Sequence, residues 1–158
     1  MRRFANKKCI AALCLLLAVP VVCSLAAVRG KDARYVGGTI SAIPANTEGR
    51  IELGQDAAVF NAKSGTNLTM PYSKIQSLEY GQKAGRRLGM ALVVSPLFLL
   101  SHKRRHFLTI TFTDEAGKDQ GAVFELAKGV VRETLSTLET KTGKKVEYDS
   151  DEAQKSAK

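Results

Sequence analysis

Apolar and polar residues alternate along most of the chain in short stretches divided by turn-forming clusters, a pattern of many short β-strands. Strands are expected near residues 34–43, 50–53, 57–62, 67–72 and 74–80. The breaks at 44–49, 54–56, 63–66 and Ser73 supply Gly, Pro, Asn, Asp and Ser, which tolerate turn dihedrals. Leu68, Met70 and Tyr72 share one face of the fourth segment. In residues 107–113, Leu108, Ile110 and Phe112 alternate with Thr109, Thr111 and Thr113, so one side of that sheet is expected to face a core and the other water or a partner. Asp114-Glu115-Ala116-Gly117-Lys118 reads as a hairpin turn, and Ala122, Phe124 and Leu126 fall on one face of the returning strand. From 129 to 142 the period lengthens to about 3.6, placing Val131, Leu135, Leu138 and Thr142 on one helical stripe that Gly143 can end in a left-handed conformation. Residues 145–148 are a candidate last strand. Residues 149–158 carry no large apolar side chain and are expected to be a disordered tail.

Residues 82–106 break this rhythm. From 88 to 100 the non-hydrophobic interruptions are Gly89, Ser95 and Pro96, with Arg86-Arg87 before the run and Lys103-Arg104-Arg105 after it. As a helix, such a run extends about 20 Å, short of a hydrocarbon core of roughly 30 Å, so it is not expected to span a bilayer alone. One reading has it enter the membrane interface as a kinked helix or hairpin bent at Pro96, with each cation contributing about 1 kcal/mol against anionic lipid. The residues that would then touch a membrane or a protein partner, or mediate self-association, are Arg86, Arg87, Leu92, Val93, Val94, Leu97, Phe98, Leu99, Leu100, Lys103, Arg104 and Arg105. The other reading is a buried helix or pair of core strands whose end charges are merely solvated. Gly81, Gly85 and Gly89 recur every fourth residue, which on a helix leaves a groove for close backbone approach. The cations between them favour ordinary turns.

The first residues change the address. Positions 1–8 are polar and positive, 9–19 are an unbroken apolar run, and Pro20 and small residues follow, ending in Ser24-Leu25-Ala26. This is the order of a secretory signal peptide cut after Ala26. Residues 9–28 also lack any charge and match an uncleaved N-terminal membrane anchor. Either way the positive end stays inside and the remainder is exported to a periplasmic or other extracytoplasmic space. Pro20, Val21 and Val22 before Cys23 do not suit lipid attachment. Cys9, Cys14 and Cys23 all lie in this segment, so its removal leaves no thiol for a disulfide, a metal or catalysis. Removing Arg2, Arg3, Lys7 and Lys8 with it lowers the formal net charge from +9 to +5. That modest balance and the aliphatic neighbours of Lys103–Arg105 speak against nucleic acid as a partner.

Candidate chemistry is sparse. His102 and His106 are the two histidines, and their spacing on a helix can share a metal ion, but the three cations between them would repel it. Solvated polar residues opening the next strand are the plainer reading. There is no Gly-x-Ser-x-Gly elbow and no Gly-rich phosphate loop, and Asp114-Glu115 and Asp151-Glu152 fall in a turn and a tail. No catalytic residue, metal ligand or cofactor is therefore assigned, and an enzyme is not expected; a small hydrolase or metal enzyme using the histidine pair is the third-ranked alternative.

The strand, turn, strand and proline-bearing step from Ala58 to Tyr80, with Pro71 before Ile75, and the hairpin and helix from Phe107 to Thr142, resemble the pleckstrin-homology-like group that includes GRAM and bacterial PH domains. The resemblance implies a mainly β, α+β fold: a partly open antiparallel barrel over 33–148 with one C-terminal helix, from which the apolar insert 82–106 between strands five and six is a departure. It also implies a scaffold for lipid or protein binding without catalysis. The functional expectation is an exported, membrane-associated binding module that meets anionic lipid or a membrane protein through the insert. The alternative is a structural domain whose insert is buried in its own core.

Overall fold

Nine strands and two helices run in chain order through a computed structural model that describes residues 31–82, 93–94 and 105–157. The strands are β1 (Lys31–Gly38), β2 (Thr47–Leu53), β3 (Ala57–Ala62), β4 (Asn67–Pro71), β5 (Ile75–Gly81), β6 (Val93–Val94), β7 (His106–Thr113), β8 (Asp119–Leu126) and β9 (Val146–Tyr148). Helix α1 (Val131–Thr142) follows β8, and α2 (Asp151–Ser156) follows β9. The protein is thus mainly β with helix at its C-terminal end. Eight strands form one open sheet in the order β4-β3-β2-β1-β8-β7-β5-β9, and β6 adds to β1. Every pairing is antiparallel except β5 with β9.

Alternation builds the core. Ala58, Phe60 and Ala62 of β3 point inward while Ala57, Val59 and Asn61 stand further out, and Leu108, Ile110, Phe112, Ala122, Phe124 and Leu126 do the same on β7 and β8. Phe124 touches Phe60 and Tyr35 with ring centroids 5.1 and 5.9 Å apart, joining the two halves of the sheet. Gly49 of β2 has to be glycine, because a Cβ there would lie 2.6 Å from the Phe60 ring and 2.4 Å from the Asn61 carbonyl oxygen. Helix α1 lays Val131, Leu135 and Leu138 against this core, near β2 and the short turn Tyr72–Lys74. It stops at Gly143, whose φ of 67° lets its amide reach the Glu139 carbonyl at 2.9 Å.

Three expectations need correction. The first strand stops at Gly38 instead of residue 43, after an irregularity between Tyr35 and Gly37. Of the two surroundings expected for Thr109 and Thr111, water or a partner, water is not found, since both are buried. The segment from Asp149 is not a disordered tail. Its amide bonds to the Tyr80 carbonyl, its carboxylate accepts from the Gln82 amide, Ser150 Oγ caps α2 by accepting from the Ala153 amide, and Ala153 and Ala157 are buried. Small alanines seated on a sheet edge, with a serine cap, order a stretch that has no large apolar residue.

Candidate functional site

Most of the expected contact residues, namely Arg86, Arg87, Leu92, Leu97, Phe98, Leu99, Leu100, Lys103 and Arg104, lie outside the described residues, as does His102. What is described fixes where their segment begins, passes and ends. Gly81, at the end of β5, sits directly across from Phe107 at the start of β7, so both ends of the segment leave from one rim. Midway, the backbone of Val93 and Val94 pairs with Gly38 and Gly37 of β1. Arg105 is tied into an ion-pair network. It donates to Glu125 Oε2 at 3.0 Å, Arg34 reaches the same carboxylate oxygen at 3.7 Å, and Glu48 joins Arg34 at 3.2 Å and Lys63 at 2.7 Å. The two cations hold the Glu48 carboxyl below the usual carboxylate range, Lys63 having the larger effect.

The two long edges of the sheet are finished differently, and the difference opens a cleft. The β5 edge carries β9, whereas β4 pairs with β3 alone among the described residues. The Tyr72 amide bonds to the Asp56 carbonyl and the Ala62 amide to the Thr66 carbonyl, so the alternation of the ladder turns the main-chain groups of Asn67 and Thr69 to the free side. Between that edge, the stretch 39–42 after β1 and the β7–β8 hairpin lies a cavity of about 470 Å³. Ile40, Leu68, Pro71 and Phe112 give it an apolar lining; Lys74 and Glu115 stand at its rim.

One wall of the cleft is a fixed polar chain. Thr39 Oγ1 donates to Gln120 Oε1 and accepts from the Gly121 amide at 2.9 Å, and Gln120 Nε2 donates to Asp114 Oδ2 at 2.8 Å. Asp114 also accepts from the Lys118 amide at 2.8 Å. Its carboxyl is held below its ordinary range, first by Gln120 and then by that amide. Such a cleft suits an apolar body with one or two groups able to hydrogen bond to a strand edge. None of these residues is among the contact residues expected from the sequence, where Leu68, Phe112, Asp114 and Glu115 figure only as strand and turn positions. The signal that points to them is Pro71, a residue without an N–H that is confined to sheet edges.

His106, expected to be solvated, is buried. Its Nδ1 lies 2.5 Å from the Tyr80 hydroxyl, which is 3.4 Å from Ser156 Oγ on α2, and the Tyr80 and His106 rings stack. Burial holds the imidazole below its ordinary pKa; Lys128 adds to the effect and Glu125 opposes it. Ser156 Oγ donates to the Ala153 carbonyl at 2.8 Å, so this cluster locks α2 to the sheet and does not aim a nucleophile at a cavity. Among the described residues, no group of three or more His, Cys, Asp or Glu side chains is placed to hold a metal ion, and no helix is long and apolar enough to cross a membrane. Compared with known proteins, the chain matches no family model, and no curated protein matches it significantly.

Proposed function

We propose that this protein is an exported, membrane-associated, non-catalytic binding module on a pleckstrin-homology-like scaffold, held at anionic lipid or at a membrane protein by the cationic flanks of its insert. Seven antiparallel strands, β1 to β5 with β7 and β8, followed by an amphipathic helix, support the scaffold reading. The observation that carries the membrane reading is the pairing of Gly81 with Phe107. The two ends of the segment that carries Arg86, Arg87, Lys103 and Arg104 thus lie side by side at one rim, which supports the reading that these cations act together. Arg105 belongs to the Glu125 network and serves as an anchor for that rim.

Four cations at about 1 kcal/mol each give about 4 kcal/mol toward an anionic surface. That is on the order of a thousandfold in partition. The cleft beside β4 is the place where such a module holds an apolar group of its ligand. Flotation of residues 27–158 with phosphatidylcholine vesicles, with and without phosphatidylglycerol, tests the reading. Recovery should need phosphatidylglycerol, fall with salt, and be lost in the variant Arg86→Gln, Arg87→Gln, Lys103→Gln, Arg104→Gln. Equal recovery with both vesicle types, unchanged in the variant, rejects it.

A further inference from the structure

The two edges of the sheet leave different groups unbonded. β9 pairs with β5, so that edge is taken. On β4, the bonds from the Ala62 amide to the Thr66 carbonyl and from the Tyr72 amide to the Asp56 carbonyl fix the phase of the ladder. Leu68 and Met70 therefore turn their main chain toward β3, while Asn67 and Thr69 turn theirs away from it. Two N–H and two C=O groups thus face outward at the two-residue repeat of a strand, about 6.8 Å. Pro71, which has no N–H, ends the row. Beside it lies the cleft of about 470 Å³, and Lys74 and Glu115 stand exposed at its rim with no ion-pair partner among the described residues.

We propose that this cleft docks an extended polypeptide segment of a partner, which adds to the sheet as a strand antiparallel to β4. The proposal rests on the reading of the protein as a binding module and names the ligand class of its cleft. A main chain carries donors and acceptors at the strand repeat, so it answers all four groups of Asn67 and Thr69, whereas an acyl chain answers none. In an antiparallel pair, the partner residues opposite Asn67 and Thr69 exchange both bonds with them and hold their side chains on the same outer side. The residue between them lies opposite Leu68 and turns its side chain inward, where Leu68, Ile40 and Phe112 offer an apolar lining. Ile40 and Leu68 are half-buried, packed on the core and open to the cleft. The segment therefore reads polar, apolar, polar. Lys74 and Glu115 supply opposite charges for its flanks, which favours a peptide carrying both signs over a hydrocarbon. The stretch 39–42 and the β7–β8 hairpin close the far side. A cavity of that size takes a short segment, not the β3–β4 edge of a second copy with its own domain behind it.

The test uses no anionic lipid, so its failure is distinct from failure of the vesicle flotation. The full chain, isotope-labelled and held singly in phosphatidylcholine nanodiscs, is screened against an array of short synthetic peptides that alternate Thr, Lys or Glu with Val, Leu, Ile or Phe. Amide hydrogen exchange is then read by NMR. Bound peptide should slow exchange of the Asn67 and Thr69 amides at least about tenfold and leave the Leu68 amide, already bonded to β3, unchanged. Methylating the peptide nitrogen opposite Asn67 should abolish the effect. Methylating the one opposite Leu68 should not, since that N–H points away from β4. No protection by any peptide of the array, or equal loss from the two methylations, overturns the proposal. Protection already present without peptide, as lipid in the cleft would give, overturns it as well. So does protection that appears on placing two chains in one disc, as a second copy would give.

Discussion

Around Val36 of β1, Val123 of β8 and residues 107–111 of β7, both faces of the sheet are buried, but they are built from different residues. The inner face presents Tyr35, Leu78, Leu108, Ile110 and Phe124, large side chains that interlock with Phe60 and with Leu135 and Leu138 of α1. The outer face presents Val36, Thr109, Thr111 and Val123 beside Gly37 and Gly121, with Phe107 as its one large buried side chain among the described residues. Equal burial with unequal side chains means the faces have different tasks. The inner one supplies most of the apolar area removed from water and hence most of the stability. The outer one buries mostly β-branched residues and glycines, which remove less apolar area from water.

Substitutions on the two faces sharpen this contrast, beginning with the largest effect. Phe124→Ala removes a ring shared by both halves of the sheet and should cost about 3–5 kcal/mol in urea unfolding of residues 27–158. A loss below 1 kcal/mol would place the core elsewhere. On the outer face, Val123→Ala should cost about 2 kcal/mol if that face is covered, against about 0.5 kcal/mol or less for an open one. Thr111→Val keeps the shape and removes a buried oxygen without a partner among the described residues, so it should stabilise by about 1 kcal/mol. A destabilisation of that size would show that Oγ1 is bonded.

The smallest effect is on pH. Burial favours neutral His106 in the folded state, so the unfolded chain binds the proton first. Stability should therefore be level above the ordinary imidazole pKa of about 6.5. It should fall as pH drops from there toward the depressed folded value. The groups around the ring are Tyr80 on β5, Glu125 on β8, Lys128 after it and Ser156 on α2. His106→Gln should flatten the dependence between pH 7 and 5; an unchanged slope would assign it to other groups.

The sequence made the inner face legible and left the outer one obscure, for a physical reason. Alternation in 107–113 reports which residues are large and apolar, and Leu108, Ile110 and Phe112 are where it puts them. Threonine is compatible with water and with burial alike, so Thr109 and Thr111 carried no sign of which they would meet. The turn at 114–118, the helix and the Gly143 stop were readable because each rests on local chemistry. The ordered α2 was not, since it depends on Ala153 and Ala157 meeting a sheet and on Tyr80 reaching Ser156. His106 was misread for the same reason: its partner is 26 residues away in sequence. The cleft at β4 arises from strand order, which a single strand's pattern does not encode.

Thiol labelling of Thr111→Cys in a chain whose three native cysteines are serine reads the buried outer face most directly, with Ser64→Cys in the exposed turn after β3 as the reference. The account predicts that Thr111→Cys reacts only as fast as the protein unfolds, orders of magnitude below Ser64→Cys. Equal rates at the two positions would contradict it.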